Sequence, residues 1–389
     1  MRKLSAHYIF PVSSLPLKNG ILCMDDDGTV LDIIDTKGKL TEESSLEFYN
    51  GVVVPGFINA HCHLELSHMK DKVIPGKGMV SFISEIIKNR NEDTAGIISC
   101  AEEADREMKR NGIVAVADVS NNSVTLSVKK QSSLYYHTFF EVFGLDVLKA
   151  DELMLKGISL AEEAEKLGIP CSLVPHTPYT LSAALHQKIS EYQKNKDSLL
   201  SIHFIESAEE RTCIEKKSGS LFELMKKMGA IPQIFNGSAD LVTRVYSGNA
   251  QILLIHNTYI RKDDIDKIKA HFKSPHFVLC PGSNLYIENR LPELDLLIES
   301  ACNIALGTDS YSSNKQLSIL EEMKILAAEF KTLPFTELLK FATLNGARAL
   351  SVEDRFGSFE KGKRPGVNLI TGFDFEKMQI SPQSQIRAL

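Results

Sequence analysis

No run of about 18 apolar residues occurs anywhere in the chain, so nothing in it is long enough to span a bilayer as a helix. A block of Lys or Arg is missing too. The formal charge is −6 at pH 7 with a pI near 6.0, a balance that draws neither nucleic acid nor an anionic membrane surface, and no such partner is expected. Cysteine is sparse and scattered: the seven (Cys23, Cys62, Cys100, Cys171, Cys213, Cys280, Cys302) never form a CxxC pair, which argues against a thiolate zinc site and a disulfide framework. The opening stretch "MRKLSAHYIFPVSSLPLKNG" is broken by Pro before it could serve as a signal h-region, so a cytoplasmic address is expected. Internal repeats, low-complexity tracts and Gly/Ser linkers are also missing.

What remains is a chain of 389 residues, 43% hydrophobic and 24% charged, enough for a large core with one accessory unit. Residues 1 to about 51 read as short β segments, with Asp27-Gly28 as a hairpin signal. From Val52 short apolar runs alternate with amphipathic stretches, as in repeated βα units around a parallel sheet. Eight candidate strands follow: "GVVVPGFINAH", then 112–120, 134–143, 169–176, 199–207, 251–257, 276–284 and 303–310. The class is α/β. The strand count favours a TIM-like (β/α)8 barrel, while an open doubly wound sheet shares the local pattern. After Leu350 turn-rich β character returns in "GSFEKGKRPGVNLITGF", so the two termini are expected to pair into one accessory domain (1–51 with 352–389) beside a catalytic unit (52–351).

Two positions apart on a strand, side chains share a face, so His61 and His63 of "PGFINAHCHLEL" project together while Cys62 points away. The pattern recurs: His176, His203, His256 and Asp309 sit at or near the ends of later candidate strands, where barrel enzymes keep their chemistry. His61, His63, His203 and Asp309 supply imidazole and carboxylate for a borderline divalent cation, zinc first, with iron or manganese as alternatives. One ion is expected, because "SLVPHTPYT" at the fourth strand end has no lysine to bridge two. His7, His68, His137, His186, His271 and His276 include several structural histidines.

These motifs together resemble the amidohydrolase superfamily, in its branch of aminohydrolases and chlorohydrolases. The likeness runs through "PGFINAHCHLEL", "HTPYTLS", "HFIES", "LLIHNTYI", "CPGSNLYI", "ALGTDSYSSN", "FATLNGARAL" and "GSFEKGKRPGVNLI"; Pro365 to Val367 replace the Ala-Asp-Leu usual there. The resemblance implies a small β-sandwich built from both termini, a homodimer as a common assembly, and a metal held by His61, His63, His203 and Asp309. It further implies hydrolytic deamination of a small heterocyclic substrate, with Glu206 shuttling protons to the ring nitrogen, Asp309 taking a proton from the attacking water and His256 orienting it. His176, Glu65, Ser67 and Arg290 are the candidate substrate contacts, Arg290 for an anionic group. Local wording around the ligands is most similar to aminodeoxyfutalosine deaminases. Guanine, cytosine, and adenosylhomocysteine or methylthioadenosine deaminases, triazine chlorohydrolases and a metal-free scaffold are the alternatives.

Overall fold

All eight apolar runs form strands, in the expected order and all parallel within their sheets. The computed structural model describes residues 1–41, 45–196, 198–227 and 236–389. Five strands come first: β1 (Arg2–Ile9), β2 (Leu17–Lys18), β3 (Ile21–Met24), β4 (Val30–Ile34) and β5 (Leu46–Pro55). The parallel set is β6 (Phe57–Cys62), β7 (Ile113–Ser120), β8 (Tyr135–Val142), β9 (Cys171–Pro175), β10 (Leu200–Phe204), β11 (Ile252–His256), β12 (His276–Leu279) and β13 (Asn303–Leu306). β14 (Val367–Thr371) and β15 (Gln385–Ala388) close the chain.

β6 to β9 make one four-stranded parallel sheet and β10 to β13 another. Backbone hydrogen bonds bridge both junctions: His203 N donates to His176 O at 3.0 Å, and Thr308 N and Asp309 N each donate to His61 O at 3.0 Å. With helices between the strands, this is a TIM-barrel-like α/β arrangement. Alternation along each strand sorts the side chains. Ile58, Ala115, Ala117, Phe139, Leu253, Ile255 and Val278 pack into an inner cluster, while Phe204, Leu254, Phe277 and Leu306 face the helices. Fully burying each such Leu, Ile or Phe contributes about 1.5–3 kcal/mol.

Helix Thr94–Arg110 shows how local sequence sets the outer layer. The Asp93 side chain accepts from Gly96 N at its start, Lys109 and Arg110 sit at its C-terminal end, and Ala101, Ala104, Asp105 and Met108 form its buried stripe. The seventh run is shorter than expected, since Pro281 starts helix Pro281–Glu288 two residues after β12 ends.

Both termini meet in one seven-stranded sheet, ordered β15-β14-β5-β1-β3-β4 with β2 beside β1. The Asp27-Gly28 turn connects antiparallel β3 and β4, and Gly28 has φ 84°. The run 51–61, read from sequence as one strand, is two. It breaks at Gly56, where a Cβ would lie 2.5 Å from Pro365 O and 2.4 Å from Val114 Cγ1. Val52 to Pro55 therefore pair with β14 in the terminal sheet, and only from Phe57 does the chain join β7. No helix among the described residues is long and apolar enough to cross a membrane.

Candidate active site

The C-terminal ends of the parallel strands bring the expected residues together. Along β6 the register with β7 shifts between Asn59 and Cys62. Ile58 and Ala60 face the inner cluster, whereas Cys62 and Leu64 pack in the outer one, so the facing switches across this irregularity. His61 and His63 thereby turn inward together. The His63 Nε2 lies 3.2 Å from His61 Nε2 and 3.3 Å from His203 Nε2. Asp309 Oδ1 stands 3.6 Å from Nε2 of both His61 and His63. Its Oδ2 accepts from Ser283 Oγ at 2.7 Å and Ser313 Oγ at 2.6 Å, which leaves Oδ1 to the histidines. This close approach needs Gly307: a Cβ there would sit 2.7 Å from His61 Cβ and 2.8 Å from His61 N.

Glu206 and His256 complete the cluster, with Glu206 Oε1 3.4 Å from His256 Nε2. Two carboxylates in "HFIESAEE" divide the work. Ser207 caps helix Ala208–Lys216 by accepting from Glu210 N, and Glu210 in turn accepts from Ile205 N and Glu206 N at 3.0 Å each. Glu210 thus takes the helix-start role, and Glu206 is left facing His256. Asn284 Oδ1 lies 3.3 Å from His256 Nδ1, and its Nδ2 donates to Thr258 Oγ1. That orientation assigns the His256 proton to Nδ1 and leaves the Nε2 lone pair toward Glu206.

Several supporting residues escaped the sequence pattern. Glu141, at the end of β8, places Oε1 3.0 Å from His203 Nδ1, which also lies 3.1 Å from His176 O. A carboxylate inside "FFEVF" was the available signal, because a buried charge needs a partner. Asp118 and Lys129 form a fully buried pair at 2.6 Å, and Asp118 Oδ1 accepts from Leu64 N at 2.7 Å, so the pair pins the peptide that follows His63. The expected substrate contacts divide. The His176 ring meets His203 edge-on at 5.0 Å and lies tilted against Phe143 at 5.6 Å, and buried Glu65 accepts from Asn121 N at 3.0 Å. Ser67 Oγ is donated into its own turn, to Leu64 O at 2.7 Å. Arg290 is 45% exposed, paired with Glu293 at 2.5 Å and laid over Tyr259, outside the histidine cluster. His68, His137 and His186 are each hydrogen-bonded to backbone or a hydroxyl.

Burial and charge push the acids apart. Burial lifts the Glu206 carboxyl to about 8 against the opposing field of His203. Burial also raises Glu65, to about 7. For Asp309 burial acts upward, but the His61 hydrogen bond and the fields of His63, His61 and His256 hold it well below the usual carboxylate range. His256 is held well below the ordinary imidazole value by burial. At neutral pH Asp309 is therefore ionised, Glu206 protonated and His256 neutral, while, against burial, the adjacent Glu141 carboxylate raises His203 to about 9. Among the described residues, His61, His63 and Asp309 offer ligand atoms all within 4.8 Å, as do His61, His203 and His256. Buried imidazole nitrogens this close, facing one another and a carboxylate oxygen, fit a cation between them.

Known proteins are similar to this chain in sequence and in fold. Over 354 residues the chain is 27% identical to an adenosine deaminase of Helicobacter pylori, covering 88% of this chain and 84% of the relative. Its fold matches that of Helicobacter pylori aminofutalosine deaminase in complex with methylthio-coformycin (TM-score 0.81, 23% identity, 95% of this chain and 92% of that one). It also matches a zinc-bound adenosine deaminase from Xanthomonas campestris (TM-score 0.76, 20% identity, 98% and 86%). The Amidohydrolase family model aligns with residues 52–385, and the chain belongs to that family.

Proposed function

We propose that the chain is a metal-dependent hydrolytic deaminase of an aminated nitrogen heterocycle, an adenine-containing nucleoside derivative of the aminodeoxyfutalosine kind. The observation that carries this is the meeting of His61, His63, His203 and Asp309, with protonated Glu206 beside neutral His256. The adenosine deaminase relative supports the adenine ring over guanine or cytosine. We take the eight parallel strands to close as a (β/α)8 barrel over 52–351, with 1–51 and 352–389 as an accessory β-sandwich. The backbone bonds at both sheet junctions and the shared terminal sheet support that division.

His61, His63, His203 and Asp309 would hold one divalent ion, zinc before iron or manganese. When bound, such an ion lowers the pKa of its water to about 7 and so supplies the nucleophile at neutral pH. Asp309, ionised, takes a proton from the attacking water as its oxygen bonds to the ring carbon bearing the amino group. Glu206, protonated, gives its proton to the adjacent ring nitrogen, where the displaced π electrons collect. His256 orients the attacking oxygen through Nε2, its tautomer set by Asn284. The proton held by Asp309 passes to the amino group, the C–N bond breaks, the proton of the newly added hydroxyl goes to Glu206, and ammonia leaves a ring carbonyl. His176 and Glu65 are the substrate contacts we retain.

The test is metal analysis of the purified protein, with ammonia release measured from adenosine derivatives, aminofutalosine, guanine and cytosine, and chloride release from chlorinated triazines. Ammonia from an adenine nucleoside together with stoichiometric metal is expected. Chloride alone would make the chain a chlorohydrolase, and neither metal nor turnover would make it a scaffold.

A further inference from the structure

Glu322 lies outside the histidine cluster, 1% exposed on helix Ile319–Glu329, and among the described residues no cation pairs with it. A carboxyl so deeply buried is costly unless its oxygens have donors. Both do: Oε2 accepts from Gly282 N at 2.7 Å and Oε1 from Asn314 Nδ2 at 2.8 Å. The two donors belong to different segments, Gly282 to the start of helix Pro281–Glu288 after β12 and Asn314 to the turn after β13. Beside Gly282 stand Ser283, whose Oγ donates to Asp309 Oδ2 at 2.7 Å, and Asn284, whose Oδ1 lies 3.3 Å from His256 Nδ1. Beside Asn314 stands Ser313, which donates to the same Asp309 oxygen at 2.6 Å. Asn314 Nδ2 also donates to Thr308 O, one residue before Asp309, at 2.8 Å. The three groups meet closely. A Cβ on Gly282 would lie 2.7 Å from both Glu322 Oε1 and Asn314 Nδ2, so the contact needs a residue without a side chain there.

We propose that Glu322 is a positioning residue for the deamination: it clamps the Ser283–Asn284 and Ser313–Asn314 segments at one spacing and so fixes the Asp309 carboxylate and the His256 ring relative to each other. This rests on the deaminase assignment and adds a residue to it. Asp309 and His256 sit at the ends of different strands, and both must face the same attacking oxygen. Sites of this kind tolerate only about 0.5 Å of error, so segments free to shift separately would misalign them. Glutamine has nearly the same shape as glutamate, but its Nε2 cannot accept a hydrogen bond, so Glu322→Gln must give up one of the two links.

The experiment measures kcat and KM by ammonia release from an adenine nucleoside, the rate at which zinc passes from the loaded protein to a chelator, and the urea unfolding midpoint. The proteins are wild type, Glu322→Gln, Asn314→Ala and Ile319→Val. Asn314→Ala breaks the same clamp from its other side and serves if Glu322→Gln folds poorly. Ile319→Val is the control, three residues earlier on the same helix but buried in the apolar core. It should lower the unfolding midpoint and leave kcat and zinc release within about threefold of wild type. Glu322→Gln and Asn314→Ala should each lose about 10- to 100-fold in kcat with KM changed less than about threefold, and should release zinc about 10-fold faster. Kinetics and zinc release matching the control overturn the clamp, as does a loss carried in KM or one that the two variants do not share. If wild type releases no ammonia but both variants shed zinc faster than the control, the deaminase assignment fails and the clamp stands. A wild type that neither turns over nor holds zinc overturns both.

Discussion

Gly307→Ala puts the narrowest junction of the molecule under load. The added methyl carbon would lie 2.7 Å from His61 Cβ, 2.8 Å from His61 N and 2.9 Å from His61 O, whereas ordinary contact begins at 3.4 Å. Neither neighbour is the free end of a flexible side chain, so β13 and β6 must separate by about 0.7 Å at this level. The bonds from Thr308 N and Asp309 N to His61 O, both 3.0 Å, cross this gap and lengthen with it. Overpacking of this kind costs about 1–3 kcal/mol. The same displacement carries Asp309 away from His61 and His63, and sites tolerate only about 0.5 Å of such error. Urea unfolding should show the stability loss, metal content after zinc equilibration should fall, and kcat on an adenine nucleoside should drop about 10- to 100-fold. Wild-type unfolding midpoint and full metal content in Gly307→Ala would refute the claim that this glycine sets the distance between Asp309 and the paired histidines.

Three further substitutions test two roles in the cluster and one buried carboxyl outside it. Glu206→Gln should keep its metal while deamination falls by about 10²- to 10⁴-fold, since a proton carrier and not a ligand is lost; unchanged turnover removes Glu206 from the mechanism. His63→Ala should strip the metal, measured by elemental analysis, and full retention would take His63 off the ligand set. Glu322 concerns stability. Burial lifts its carboxyl to about 8 from 4.5, even though it accepts from Gly282 N and Asn314 Nδ2. The folded state therefore holds a proton that the unfolded state has lost between those values, so this contribution is complete below pH 4.5 and disappears as pH rises through 8. Glu322→Gln should flatten the stability profile between about pH 5 and 8 by a few kcal/mol in urea unfolding, and parallel wild-type and variant profiles would contradict it.

Legibility from sequence followed the range of the interaction. His61 and His63 are two apart on one strand, and a period of two needs no tertiary knowledge. His203, His256 and Asp309 were legible because apolar strands announce their own ends, and barrel chemistry sits there. Gly56 was harder: "GVVVPGFINAH" reads as one strand, and the break depends on Pro365 and Val114, distant in sequence. Arg290 was chosen for its charge, yet Glu293 three residues on pairs with it, a helical-spacing partner visible in the sequence. Asp118 and Lys129 were invisible, since neither position hints that the other neutralises it.

Strand direction alone does not aim the cluster. Ile205, His256, Asn257 and Asp309 all have positive φ, between 50° and 74°, at the strand ends where the side chains converge. For a β-branched residue such as Ile205 that conformation is unfavourable, by about 1–3 kcal/mol at sites of this kind. Ile205, Asn257 and Asp309 are each restrained by bonds nearby. Glu210 holds Ile205 N and Glu206 N, Asn257 Nδ2 donates to Leu254 O at 2.7 Å, and Ser283 and Ser313 hold Asp309. The polar residues just past the strand ends therefore do two things at once: they stabilise a turned backbone and they fix which oxygen or nitrogen faces the pocket. Glu210 is the clearest instance, because the carboxylate that caps the helix also releases Glu206 from that duty and turns it toward His256.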